Sequence, residues 1–263
     1  ERHAAAGYGQ DQNSFRTAVF ASDLRLAVLP QAYNLRLPFP AGPGRLSRWA
    51  RRFSGPLSLQ RVPRGTGVAA FALLMMATFT FGVFRGGHVD VVTADVTDPD
   101  SYADLDLVDG SLDAAIVNAG ISGARHQSAD RASAEEVAEV MMTNAYGPVR
   151  AARALLPKLK DGGTLGFMSS LMGSVADSSG GWELYRGSKA ALNMLAKGVA
   201  EQDAKPRRIE VLSLHPGWVQ TDLGGPNAPL TVEQSVAGLA DVIERAGGGG
   251  YRFVDYTGKV LPF

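Results

Sequence analysis

Tyr185 and Lys189 stand four residues apart in the run YRGSKAALNML. On a helix that spacing puts a phenol and an amine on one face. A phenol titrates near 10, so acid–base work at neutral pH needs it lowered by about 2–3 units, or roughly 3–4 kcal/mol. An ammonium about 4 Å away supplies about 4 kcal/mol at an effective dielectric near 20. The pair is therefore a candidate proton-transfer device, although a solvated helical pair has the same spacing. Ser170 precedes this pair and follows an apolar run. A hydroxyl there could donate to a carbonyl oxygen while Tyr185 delivers the proton. Ser169 is a rival for that role, and either could be a plain turn serine.

Other polar positions fall at comparable places. Asn144 sits inside a helical pattern, where Asn is a poor former; it is a surface residue or a group holding a water near Lys189. Asn118-Ala119-Gly120 closes an apolar run with small residues, which suits close backbone approach to a flat ligand or a simple turn. Asp95, near the end of its run, could accept from an adenine amino group or cap a helix. Pro216-Gly217-Trp218-Val219-Gln220-Thr221 could hydrogen-bond an amide through its backbone and Thr221, or be an ordinary loop. No metal site is expected, since His3, His88, His126 and His215 are isolated. Neither a Gly-x-Ser-x-Gly elbow nor a Walker loop is present.

The elements that must carry these residues read most clearly from His88 onward. Strands are expected at 88–96, 112–117, 163–168 and 209–214, with a further one at 251–254. Thr97-Asp-Pro-Asp is turn and helix-start chemistry. Ser133-Ala-Glu-Glu136 reads as a capping box opening a helix to about Tyr146. Gly147-Pro148 marks a bend or restart before a helix to about Leu159. Further helices are expected from Glu183 to about Gln202 and over 231–245, the latter capped by Thr231; Gly247–Gly250 reads as a loop. Strands alternating with helices imply an α/β fold with a doubly wound parallel sheet and helices on both faces. Ligands of such sheets bind at the carboxyl ends of the strands, where most of these motifs fall.

The first third is different. The chain has 263 residues, 45% hydrophobic and 20% charged, with no cysteine and a formal net charge of zero. Disulfide scaffolds, thiolate metal sites and cysteine nucleophiles are excluded, and a reducing compartment such as the cytoplasm is allowed. Residues 1–87 hold 11 Arg, no Lys and only Glu1, Asp11 and Asp23, so they carry +8 and the remainder −8. The Arg residues are scattered, so no nucleic-acid partner is expected. Prolines interrupt 1–64, where the best short helix is Leu46–Phe53. Residues 65–84 contain no charge and are long enough to span a bilayer, yet Gly, Thr and Ala dilute them; a buried helix is the plainer reading. Two regimes thus meet near Arg85–His88.

On Asp95-Val96, Asn118-Ala119-Gly120, Asn144, Ser169-Ser170, Tyr185-x-x-x-Lys189 and Pro216-Gly217-x-Val219-x-Thr221, residues 88–263 resemble the short-chain dehydrogenases/reductases. The runs SSLMGSVADSSGG, YRGSKAALNML and LHPGWVQTDLGGPNAPLT resemble the C-factor-like and sniffer-like carbonyl reductases in particular. The resemblance implies a Rossmann-like fold, NAD(P)(H) with NADP favoured, and hydride transfer between nicotinamide and a carbonyl or alcohol carbon of a small molecule. It makes Tyr185 the acid/base, with Lys189 lowering its pKa and binding the nicotinamide ribose. It has Ser170 polarise the carbonyl and Asn144 anchor a relay water. Asp95 and Val96 would frame adenine; Asn118, Ala119 and Gly120 would line the adenosine ribose side. Pro216, Gly217, Val219 and Thr221 would hold the carboxamide end. Pairing through the helices of Asn144 and Tyr185 would give a homodimer or homotetramer.

One departure stands out. The family's Thr-Gly-x-x-x-Gly-x-Gly, whose backbone approaches the pyrophosphate, is absent from the chain. Gly42-Pro43-Gly44 is the nearest string, and Leu35–Phe39 ahead of it makes a poor strand. Residues 1–87 are then a degenerate nucleotide-binding half, a mistranslated or wrongly joined one, or an appended segment anchored by 65–84. A non-catalytic binding or signalling module is the alternative to an enzyme.

Overall fold

A computed structural model describes residues 17–21, 26–29, 89–93 and 95–263, except 104, 106, 124, 125 and 222. Leu46–Phe53, Gly42 and Gly44, Leu35–Phe39, the 65–84 run, His3 and His88 lie outside the described residues.

Among the described residues, seven strands form one sheet in the order β3-β1-β2-β4-β5-β6-β7. They are β1 (Thr17–Ala21), β2 (Leu26–Leu29), β3 (Val89–Thr93), β4 (Leu112–Val117), β5 (Leu159–Met168), β6 (Glu210–His215) and β7 (Gly250–Asp255). From β2 through β7 every neighbouring pair is parallel. Only β1 runs against both its partners, so the β3 edge is antiparallel to β1. The expected parallel α/β sheet is present, with one reversed strand near an edge. No strand was expected at 17–29; the runs there are short, and β1 is matched by pairing with the distant β3 rather than by local pattern. The strand expected at 88–96 ends at Thr93, because Asp95 turns back to bridge Asp98.

Alternation along the strands feeds two cores. Ala115, Val117, Leu165, Phe167 and Val211 pack on one face against helices α3 (Gly147–Leu155) and α4 (Glu183–Val199). Ala114, Ile116, Leu212, Leu214 and Val254 pack on the other against α5 (Val232–Glu244). Helices thus cover both faces, as buried parallel strands require. A short α1 (Asp100–Ala103) precedes β4, and α2 (Ala134–Met141) follows it. Both expected caps form: Ser133 and Thr231 each make a full capping box, with Glu136 and Gln234.

Of the bend or restart expected at Gly147-Pro148, the structure has the restart: regular α-helix resumes at Gly147. Helical geometry continues from α2 through a wide π turn, Met142–Tyr146, into α3. Proline lacks an N–H and its ring collides with the carbonyl four residues back. A π turn just ahead of Pro148 removes that conflict without breaking the helix. Gly147 has a different reason: a Cβ there would come within 2.6 Å of the Val96 carbonyl oxygen. The helix can lie against the chain after β3 only because that side chain is missing.

Candidate active site

Strand β5 ends at Met168 and delivers two serines with different fates. The Ser169 hydroxyl donates to Asn193 Oδ1 of α4 at 2.6 Å and is buried. The Ser170 hydroxyl accepts from the Met172 N–H at 3.1 Å and also hydrogen-bonds the Tyr185 phenol. Ser169 is therefore a tie between strand and helix, and Ser170 faces the acid/base candidate.

Tyr185 and Lys189 lie on α4 as the spacing requires, both buried, with the ammonium 5.8 Å from the phenol ring centre. Lys189 Nζ donates to the Met168 carbonyl at 2.9 Å. That leaves two of its three hydrogens for another partner. Burial pushes the lysine down to about 8. Burial also pushes the Tyr185 phenol up, to about 12, with the Ser170 hydrogen bond pulling weakly the other way. This differs from the lowered phenol expected of a nearby ammonium. Burial dominates, and Lys189, which gives a hydrogen to the Met168 carbonyl, stands 5.8 Å from the ring centre. A phenol is protonated at neutral pH even without that shift, in the form that gives a proton rather than takes one, and burial holds it further in that form.

Asn144 sits in the π turn and is fully buried. Its Oδ1 accepts from the Ile121 N–H at 2.7 Å, and its Nδ2 donates to the Ile121 carbonyl at 2.8 Å and to Ser188 Oγ at 2.9 Å. Both amide hydrogens and one lone pair are used by the protein. Its visible task is to pin the chain just after Gly120, and one lone pair remains for a water. Gly120 borders the lysine: a Cβ there would stand 2.9 Å from Lys189 Nζ. Ala119 is buried, and Asn118 is partly exposed beside it.

The loop after β6 is built around Gly217, whose φ is +84 and whose added Cβ would strike Leu230 Cδ1 at 2.3 Å. Val219 is buried and bridges Leu230. Thr221 Oγ1 accepts from the Gly224 N–H at 3.0 Å, so it shapes the turn, and the Pro216 carbonyl accepts from Ser235 Oγ at 2.6 Å. At the far end, Asp95 Oδ1 accepts from the Thr97 N–H and hydroxyl at 2.6 and 2.7 Å, and Val96 is buried. Tyr185, Lys189, Ser170, Asn144 and Gly120 thus form one cluster. Asp95 and Val96 belong to the adjoining strand end, reached through Gly147. His126 is partnered, with its Nδ1 3.4 Å from Glu136 Oε2.

Two residues of the cluster carry no signal of type or spacing. Gln127 accepts from the Tyr185 N–H through Oε1 at 3.1 Å, from a loop without periodicity. Ser188 donates to the Tyr185 carbonyl at 2.7 Å. It lies inside the Tyr-x-x-x-Lys string, where an i to i−3 serine bond is the available clue.

A nicotinamide-sized group is tested by two features. The missing side chain at Gly120 lets the backbone lie close against an ammonium with two unused hydrogens, and the left-handed Gly217 draws the β6 loop tightly around Leu230. Those residues fit the nicotinamide–ribose half of a dinucleotide. The stretch where a pyrophosphate loop would stand is outside the described residues.

Comparison with known proteins gives a consistent picture. A family model described as enoyl-(acyl carrier protein) reductase matches residues 83–237. C-signal of Myxococcus xanthus is 41% identical over 162 residues, 59% of this chain and 94% of that protein. A carbonyl reductase of Pseudomonas aeruginosa in complex with NADP superposes with a TM-score of 0.58 at 42% identity, covering 65% of this chain and 76% of that one. The carbonyl reductase Sniffer of D. melanogaster superposes with a TM-score of 0.59 at 33% identity, covering 64% and 76%.

Proposed function

This chain belongs to the short-chain dehydrogenase/reductase family, in its carbonyl-reductase-like part, and from that premise we propose that it reduces a small carbonyl compound with NAD(P)H, Tyr185 giving the proton. The observation that carries the reading is geometric: buried Tyr185 and Lys189 share one face of α4, with Ser170 beside the phenol at the carboxyl end of β5. NADPH is the form to try first, because the similar Pseudomonas reductase is a complex with NADP.

A bound nicotinamide would supply the hydride to a carbonyl carbon, or accept one from an alcohol. The Ser170 hydroxyl, whose oxygen accepts from Met172 and whose hydrogen faces the Tyr185 phenol, would turn that hydrogen to the carbonyl oxygen of a bound substrate. Tyr185 Oη gives its proton to the same oxygen as negative charge develops there. Lys189 Nζ offers its two remaining hydrogens to ribose hydroxyls. Asn144 keeps Ile121, and with it Gly120, at a fixed height above β4, and its spare lone pair holds the relay water. Asn118 and Ala119 line the adenosine ribose side. Asp95 and the Val96 backbone frame adenine, while Pro216, Gly217, Val219 and Thr221 hold the carboxamide. Pairing through the helices of Asn144 and Tyr185 and a cytoplasmic setting complete the proposal. Among the described residues no helix is long and apolar enough to cross a membrane.

The test is NADPH oxidation with an aldehyde panel that includes benzaldehyde. Tyr185→Phe should lower kcat by about a hundredfold or more while NADPH still quenches. Turnover that survives in this variant overturns the assignment. A second reading, a module that binds without turning over, is favoured by the absent Thr-Gly-x-x-x-Gly-x-Gly string. Tyr185-dependent reduction of any aldehyde excludes it.

A further inference from the structure

Helix α4 begins without a cap of its own. Trp182, the residue before it, is in the left-handed region (φ 50, ψ 39), and no side-chain cap bonds form there. The first N–H groups of a helix have no partner within it and need acceptors from elsewhere. One residue, Gln127, supplies two. Its carbonyl accepts from the Leu184 N–H at 3.0 Å, and its Oε1 accepts from the Tyr185 N–H at 3.1 Å. The same side-chain amide donates through Nε2 to the Ser122 carbonyl at 2.8 Å. Nearby, the Ala129 N–H donates to Glu183 Oε2 at 2.7 Å.

These bonds close a ring. Gln127 joins the Tyr185 N–H to Ser122, and Asn144 holds the adjacent Ile121 at both its N–H and its carbonyl. Asn144 also donates to Ser188, which donates to the Tyr185 carbonyl. The backbone of Tyr185 is thus gripped on both sides, and both grips lead to the stretch after β4 that borders Lys189 through Gly120.

We infer that Gln127 is a positioning residue for the reaction: it fixes the Tyr185 phenol against the Gly120–Ser122 backbone, and this deepens the reading of Tyr185 as proton donor. A neutral amide is required there. One arm must accept from an N–H while the other donates to a carbonyl, and a carboxylate can do only the first. Misplacing a proton donor by about 1 Å costs up to about a hundredfold in rate, so the loss should fall on kcat rather than on binding.

The experiment uses the full chain with NADPH and benzaldehyde, and follows amide hydrogen exchange at Tyr185 in parallel. In Gln127→Ala, Tyr185 exchange should rise about tenfold and kcat fall about ten- to hundredfold, with the aldehyde KM within about twofold. Gln127→Glu should be as slow as the alanine variant near neutral pH. It should recover as pH falls toward about 4–5, where a protonated carboxyl regains the donor that Ser122 needs; wild type should show no such recovery. Unchanged Tyr185 exchange, a kcat within about twofold of wild type, or a Gln127→Glu profile parallel to wild type overturns the inference. If Gln127→Ala does not fold, Gln127→Glu carries the test through its pH dependence. If wild type reduces no aldehyde, the reductase reading falls, and the exchange rates alone decide whether Gln127 holds Tyr185.

Discussion

Lys189 holds its ammonium where the fold disfavours it. Burial takes it from 10.5 down to about 8. At about 1.4 kcal/mol for each tenfold change in proton affinity, the charged form costs the folded state about 3 kcal/mol at neutral pH. Between pH 8 and 10.5 the unfolded chain binds the proton that the folded chain has released. Stability therefore rises with pH through that window. Lys189→Met removes the penalty and leaves the Met168 carbonyl without its donor, a loss of about 1 kcal/mol. The variant should be more stable than wild type by about 2 kcal/mol at pH 7, and the gain should vanish above pH 10. Urea unfolding at several pH values measures it; a variant less stable than wild type at pH 7 contradicts the account. Turnover should be lost in the same protein, which separates a function-bearing charge from a stabilising one.

Helix boundaries were legible where their chemistry is local. Ser133 and Thr231 form the boxes that the residues themselves announce. Ser133→Ala and Thr231→Ala should each cost about 1 kcal/mol in urea unfolding with kcat unchanged, since neither cap touches the Tyr185 cluster. Loss of activity at full folding in either variant would break that separation. Gly147-Pro148 marked the restart of the α-helix, but the reason for it is not local. The glycine answers to the Val96 carbonyl, and the proline is accommodated by a π turn that also lets Asn144 point inward. Strands β1 and β2 were invisible for a related reason. TAVFA and LAVL are too short to show a period, and β1 pairs with β3 some seventy positions along the chain.

At the scale of the molecule, β4 to β7 and the two cores could be read from alternation and spacing, because strands buried on both faces leave a strong apolar record. The cluster of Ser170, Tyr185, Lys189 and Asn144 was legible as residue types; the choice between Ser169 and Ser170 was not. Asn193 makes that choice, from a different element. The grip on Tyr185 was the least legible part, since Gln127, Ile121, Asn144 and Ser188 are drawn together by bonds spanning 23, 44 and 58 positions of sequence. Links of that range form only after distant pieces have met, and chain closure over long spans is slow. Competence for chemistry should thus be the last property regained after dilution from denaturant. Tryptophan emission should recover first, and Tyr185 amide protection should follow together with NADPH consumption. Simultaneous recovery of all three would show that the latch is in place from the outset. The cell would otherwise hold, for a brief interval after synthesis, molecules that are compact yet inert.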